Sequence, residues 1–420
     1  MGVHLLFIGG EDHNLRIPFL TALASRGYDV TTAASADPAP FERAGIKYIH
    51  FDFNRFWAPR SDLRAWRKIG QILADVDADV VHSFDTKLSL LTPYASRFNP
   101  RTIIVRTING RAWTFSSRTF GAAVIRRLLY RPLQRLASVT TAATVFEHRG
   151  DQEFFERNGM IGKGESVKIA GAGIDVRGFE DAQKRGPSAE SLRTEMGLIG
   201  NEVVITVTRV TREKGILDLL KAAELVHRVR PSVKFLIVGP REGEGPFAVT
   251  GAELAPYSDY VIATGSRTDV PSLLAMSDVF AFPSDYAEGI PRALMEAALC
   301  GMPIVTTDKL GCKEVIQDGW NGYVTPARDP GAMAKRILDL LDDRAAGAKM
   351  GARGPDLVRT ELSLDEVVNQ HAALYERLLG KRRLMSRNKG ELDGHSGESS
   401  EPRQPLELSG RRLSEPQDAV

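Results

Sequence analysis

The chain has 420 residues, of which 43% are hydrophobic and 26% charged, and it carries a formal net charge of +2. That length is too great for one ordinary core and implies two domains, while the near-neutral total supplies no bulk attraction to nucleic acid. No apolar run approaches the roughly 20 residues that a membrane helix needs, and the two cysteines, Cys300 and Cys312, make neither a disulfide framework nor a cysteine metal cage, reading instead as small buried residues in a reducing cytoplasm.

The opening MGVHLLFIGG has no basic n-region or cleavage site and reads as a first strand over residues 4–8, followed by Gly9 and Gly10. Further strands are expected at 29–33, 48–51, 80–84, 103–107, 139–145 and 166–170, with helical patterns between most of them, the rhythm of a doubly wound parallel sheet. The DVDAD run at 75–79 contains an Asp-x-Asp spelling but precedes the buried strand VVHSF, so it reads as an acidic loop and no metal role is assigned to it. His82 and Asp85 stand at one strand end and Asn109 at another; His82 serves equally well as a polar group of the site or as a satisfied core histidine. His148, at a helix start, reads as structural. Between residues 101 and 135 there are eight arginines and no acidic residue, with leucines interleaved in RRLLYRPLQRL and Trp113 and Phe115 nearby. Such a surface favours anionic lipid headgroups or a phosphorylated partner, with a helix whose leucines face the core as the plainer reading.

A polar stretch at 178–200 reads as a linker. The strand rhythm then resumes at 203–208, 234–238, 260–264, 279–282, 304–307 and 322–324. Residues 363–379 keep Val367, Ala372, Leu374 and Leu378 at helical spacing, which predicts a last helix. The tail from 381 onward is rich in Arg, Ser, Glu, Pro and Gly and is expected to be disordered.

Two motifs in the second half carry chemistry. VVITVTRVTREKG, residues 203–215, reads as a buried strand, a turn and a helix start, which puts Arg209 and Lys214 at the carboxyl edge of a parallel sheet, where open α/β sheets bind ligands. In PSDYAEGIPRALMEAALCGMP, residues 283–303, Glu288 and Glu296 stand eight positions apart across the start of a helix expected over 291–300. Pro291 suits the first helical position and Gly301 the left-handed residue that ends the helix. Two carboxylates so spaced do not readily share one metal or one proton. They can hold two separated parts of one elongated ligand, with free helix-start N–H groups between them for a phosphate. A nucleotide sugar has that form: a hexose and a ribose joined by a diphosphate.

The second segment resembles the E-x7-E region of retaining family-4 glycosyltransferases, and Arg209 with Lys214 is similar in spacing to the Arg/Lys pair of the same family, although Thr208 stands where Gly is more usual. HSFDTK (82–87), RTINGRAWTFSS (106–117), TAATVFEHRGDQEFF (141–155) and GAGID (171–175) resemble a subgroup that builds surface polysaccharides and lipid-linked oligosaccharides. The resemblance runs over most of residues 3–379. It implies an α/β GT-B fold: two Rossmann-like domains facing a cleft, 1–177 for the acceptor and 201–362 for the donor, and a helix at 363–380 crossing back to the first. It implies a glycosyltransferase, moving a hexose from a nucleoside-diphosphate sugar, UDP-linked, to a surface or lipid-linked glycan.

By the same resemblance Glu288 holds the donor hexose and Glu296 the ribose. Gly289, Ile290 and Pro291 present backbone to the sugar and phosphates, and Gly9 and Gly10 close over the donor phosphate. Arg209 and Lys214 stabilise the leaving phosphate in place of a metal, and no cofactor is implied. Asn109 stands near the acceptor and the reacting carbon, while His82 and Asp85 are read as acceptor-side polar groups from their place at a strand end. Many relatives carry His where this chain has Asn109, and asparagine cannot act as a base near neutral pH. Arg126, Arg127 and Arg131 are the expected contacts to an anionic membrane at its inner face. Two other functions fit these residues: a sugar-nucleotide epimerase of the same architecture, and a non-catalytic nucleotide-sugar-binding protein.

Overall fold

The computed structural model describes residues 2–54, 58–98, 101–110, 126–241, 244–286 and 289–395. Thirteen parallel strands among them form two sheets. The first has the order β3-β2-β1-β4-β5-β6-β7, built from His4–Ile8 (β1), Asp29–Ala34 (β2), Lys47–His50 (β3), Val80–Ser83 (β4), Ile103–Ile108 (β5), Ala143–Phe146 (β6) and Glu165–Lys168 (β7). The second has the order β10-β9-β8-β11-β12-β13, from Glu202–Val207 (β8), Val233–Val238 (β9), Val261–Gly265 (β10), Val279–Phe282 (β11), Ile304–Thr307 (β12) and Tyr323–Thr325 (β13).

Parallel strands buried on both faces require apolar side chains on both, which is why these segments read as continuous β-branched runs. In β8, Val203 and Ile205 enter one core cluster and Val204 the cluster on the opposite face. In each sheet the strand order reverses direction beside the first strand, between β1 and β4 and between β8 and β11. Crevices open at such points outside the carboxyl ends of the strands.

The chain passes between the two sheets twice, and the passages pair: Ile174 N–H donates to Leu362 O at 3.0 Å and Leu364 N–H to Ile174 O at 2.8 Å. Gly173 has φ +72°, and a Cβ there would stand 2.7 Å from the Leu364 Cα, so only glycine admits this crossing. Residues 364–375 of the last helix then lie against the first sheet. Tyr375 Oη is 2.6 Å from His82 Nδ1, and the His371 ring meets Phe19 edge-on at 4.9 Å. The described residues up to Tyr375 form one compact unit, and those from Glu376 onward belong to a second.

Four features depart from the sequence reading. The expected strand at 139–145 begins only at Ala143, because the helix Arg131–Ser138 precedes it and Thr141 Oγ1 turns back to bond Ala137 O at 2.9 Å. The polar stretch 178–200 carries two helices, Val176–Arg185 and Ala189–Glu195, each started by a side-chain cap from Asp175 or Ser188 and each held by one buried apolar group, Phe179 or Leu192. The last helix spans Leu364–His395, past the expected end near 379, since KRRLMSRNKGEL is rich in helix formers and the next proline is Pro402; residues 396–420 lie outside the described residues. Arg106 belongs to the core and not to the basic surface. It is fully buried and donates to Thr144 Oγ1, Gln134 Oε1 and Met160 O, and burial pulls its guanidinium down to about 10.

Candidate active site

Three loops nest at the carboxyl edge of the second sheet because glycines let backbone touch backbone. Gly215, at φ +73°, would place a Cβ 2.0 Å from Pro283 O, and Gly239, at φ +148°, would place one 1.9 Å from Thr208 O. The exits of β8, β9 and β11 therefore converge. A cavity of ≈ 370 Å³ results, within the usual range for ligand pockets, lined among others by Thr208, Arg209, Lys214, Arg267, Pro291 and Glu296. Among the described residues Arg209, Lys214, Arg267 and Arg292 line it with Glu296; Arg267 is paired with Asp269 and Glu195, and Arg292 with Glu296.

Lys214 is 8% exposed, its ammonium 5.4 Å from the Tyr286 ring centroid. Arg209 is more open and pairs with Glu244 Oε2 at 2.8 Å, a partner that the sequence reading missed. The helix beside them spans Arg292–Leu299. Pro291 is its cap and not its first residue: with ψ 123° it is still extended, and its carbonyl accepts from Leu294 and Met295 N–H. Gly301 ends the helix in the left-handed region at φ +69°, as expected. Glu296 projects into the cavity with its side chain 12% exposed, held by Arg292 Nε at 2.9 Å. Burial raises its carboxyl above the ordinary value, and Arg292 partly opposes that. Cys300 is half-buried rather than buried, and burial with the nearby Glu296 charge pushes its thiol up to about 12. Glu288 lies outside the described residues, as do Arg111, Trp113, Phe115 and Arg118.

At the edge of the first sheet, a Cβ on Gly9 would stand 1.9 Å from His13 Nδ1 and one on Gly10 would stand 3.1 Å from Asp85 Oδ2, so the loop after β1 is pressed onto both. Asp85 has φ +77° and accepts from Lys87 N–H at 3.1 Å. Asn109 Oδ1 is buried without a hydrogen-bond partner among the described residues. His82 is a correction: it is 1% exposed, with its two ring nitrogens on Tyr375 Oη and Thr107 Oγ1, so it is the satisfied core histidine and not a group of the cleft. His148 caps the next helix through Asp151 N–H, the structural role expected. In the DVDAD run, Asp77 ends a helix at φ +43° and Asp79 accepts from His4 N–H.

The two edges face each other. Asn109 O is 3.7 Å from the position of a Cβ on Gly289, and Ile290 packs on Gly171. Glu147 and Arg16, ion-paired at 3.5 Å beside Gly289, went unnoticed in the sequence. The one signal was that Glu147 directly follows a buried strand, as Asn109 does.

Two parallel α/β sheets whose carboxyl edges face each other, with a cavity at the edge of the second, define the GT-B fold. Residues 19–148 match the model for "Glycosyltransferase Family 4" and 193–356 that for "Glycosyl transferases group 1". The N-acetyl-alpha-D-glucosaminyl L-malate synthase of Bacillus anthracis is 31% identical over 84% of this chain and 90% of its own length. The N,N'-diacetylbacillosaminyl-diphospho-undecaprenol alpha-1,3-N-acetylgalactosaminyltransferase of Campylobacter jejuni is 23% identical over 88% and 97%. The crystal structure of Anabaena HepE in complex with UDP is similar at TM-score 0.69, with 20% identity over 89% of this chain and 100% of that one. The chain belongs to the family-4 glycosyltransferases.

Proposed function

We propose that the chain is a retaining hexosyltransferase that takes its sugar from a UDP-sugar and passes it to a lipid-linked or surface-glycan acceptor without a metal. The observation that carries this reading is the convergence of Arg209, Lys214 and Glu296 on one cavity at the sheet edge. The diphosphate meets the two cations, the ribose meets Glu296, and the hexose extends toward Gly289 and the first sheet, with Glu288 as its binding carboxylate. As the glycosidic bond breaks, the sugar becomes oxocarbenium-like and negative charge grows on the leaving phosphate. Arg209 and Lys214 stabilise that charge from a fixed frame, and the phosphate accepts the proton of the acceptor hydroxyl. Asn109 orients that hydroxyl and takes no proton. Closure of the cleft excludes water and limits hydrolysis.

The relative from Campylobacter jejuni acts by its name on a diphospho-undecaprenol-linked sugar, and HepE was crystallised with UDP; both support the choice of acceptor class and base. Purified protein offered a panel of UDP- and GDP-sugars with a lipid-linked acceptor should release UDP from one donor, with the donor's anomeric configuration retained in the product. Conversion of donor to a new sugar without acceptor would instead identify an epimerase. Glu296→Ala should chiefly raise the donor KM, by roughly 10- to 150-fold, the equivalent of one charged hydrogen bond. A loss confined to kcat would contradict a ribose-binding role.

Attachment to the inner membrane face rests on the segment between β5 and β6. Among the described residues no helix is long and apolar enough to cross a membrane. Leu128, Leu129, Leu136 and Val139 are 42–71% exposed instead of facing the core, and Arg131 and Arg135 lie among them. The side chains of Arg126 and Arg127 lie outside the described residues. Apolar groups exposed among cations suit an anionic bilayer surface. The protein should float with phosphatidylglycerol liposomes and not with neutral ones, and Leu128→Glu with Leu129→Glu should abolish flotation. Equal recovery with both liposomes would remove this part of the reading.

A further inference from the structure

Glu147 is where a side chain of the first sheet meets the backbone that leads into the donor helix. It follows β6, its side chain is 8% exposed, and it pairs with Arg16, whose side chain is 11% exposed, at 3.5 Å. The same carboxylate faces the Ile290 backbone N–H, which favours its charged form against the effect of burial. The fit is close: a Cβ on Gly289 would stand 1.9 Å from Glu147 Oε2. Arg16 is itself anchored, its guanidinium 3.7 Å from the Phe84 ring centroid, and Phe84 stacks on Phe7 and His82 inside the first sheet's core. A continuous set of contacts thus runs from that core through Arg16 and Glu147 to the peptide between Gly289 and Pro291.

We infer that Glu147 is a positioning residue for the donor site: it holds the Gly289–Ile290 backbone, and through it the cap at Pro291, in register with the first sheet, with Arg16 as its ion-pair partner. The inference rests on the reading of 288–296 as the donor segment. A carboxylate suits the task because a hydrogen bond to a charged acceptor is short and strong. The pairing with Arg16 is required because a buried charge left alone is heavily penalised. Glycine at 289 is required because any side chain there displaces the acceptor. The donor's hexose end depends on this clamp, whereas its nucleoside diphosphate rests on Arg209, Lys214 and Glu296 in the cavity of the second sheet.

The test joins amide hydrogen exchange to steady-state kinetics on the full-length protein. In Glu147→Ala, exchange in a peptide containing Ile290 should quicken at least tenfold, and kcat/KM for the donor should fall by roughly 10- to 150-fold. Affinity for UDP alone should change less than about threefold, below one charged hydrogen bond. Glu147→Gln keeps an acceptor oxygen and should restore part of the exchange protection and turnover, whereas Glu147→Met, of similar size without an acceptor, should behave like Glu147→Ala, which a merely space-filling role would not require. Should Glu147→Ala not fold with Arg16 unpaired, the Arg16→Met/Glu147→Ala pair removes both charges and should show the same fast exchange. Unchanged exchange at Ile290 in both of these, or Glu147→Gln no better than Glu147→Ala, would overturn the inference. If the wild type turns over no sugar nucleotide, the donor reading fails, yet the exchange arm still decides whether Glu147 clamps the loop.

Discussion

Lys214→Ala should lower turnover by at least roughly 10- to 150-fold, with Arg209→Ala in the same range, as the loss of one charged hydrogen bond of about 1.5 to 3 kcal/mol requires. Both side chains line the cavity, but their surroundings differ. Lys214 is nearly buried, so its charge acts in a medium where water screens it little. Arg209 must exchange Glu244 for the phosphate when the donor arrives. Its removal frees the Glu244 carboxylate close to the bound diphosphate, so Arg209→Ala adds repulsion to the lost attraction. Because the charge they meet develops as the bond breaks, kcat should fall with kcat/KM, unlike the Glu296→Ala effect on KM. Stopped-time assays of UDP release measure both constants. Normal kinetics in Lys214→Ala and in Glu288→Gln would defeat the assignment of the site.

Acid should unfold the protein through its histidines. His13, His82 and His371 are all buried in and beside the first sheet. Burial lowers His13 from 6.5 to about 3 and His371 to about 4, and holds His82 well below 6.5. Their neighbours offer no compensating anion in these shifts: Arg16 lowers all three further, and His371 and His13 lower His82. His371 Nδ1 bonds Val367 O, and that bond opposes the shift only in part. Between pH 6.5 and about 4 the unfolded chain therefore binds protons that the folded chain refuses. Stability from these groups is complete above pH 6.5 and is lost as pH falls, by on the order of several kcal/mol in all. Glu147 and Glu296, raised by burial, act in the opposite sense. Thermal melts from pH 7.5 to 4.5 should show the midpoint dropping steeply below 6.5. His371→Phe, which keeps a ring against Phe19, should flatten the drop; a midpoint independent of pH over this range would refute the argument.

The strands were legible because a parallel strand covered on both faces must be a short β-branched run, and Gly, Pro and Asp mark its ends. The lining of the cavity was legible for a related reason: Arg209 and Lys214 on the loop after β8, and Glu296 on the helix after β11, lie beyond the carboxyl edge of one sheet. What escaped notice depends on distant pairing. Glu147 and Arg16 come from opposite ends of the first domain and look like surface charges until the Gly289 loop covers them. Arg106 looked like a surface cation until three oxygens in the core accounted for it. His82 stood between two roles that composition cannot separate, and only Tyr375, from the last helix, decides it. The helices at 176–195 have one buried side chain each, too few to give a readable period.

The central claim is that one cavity of the second domain holds an activated sugar by ribose, diphosphate and hexose together. A crystal structure of the protein with an intact UDP-sugar tests it most directly. Glu296 should lie within hydrogen-bond distance of the ribose, Arg209 and Lys214 of the diphosphate, and Glu288 of the hexose. A sugar nucleotide bound elsewhere, with those four side chains remote from it, would contradict the account.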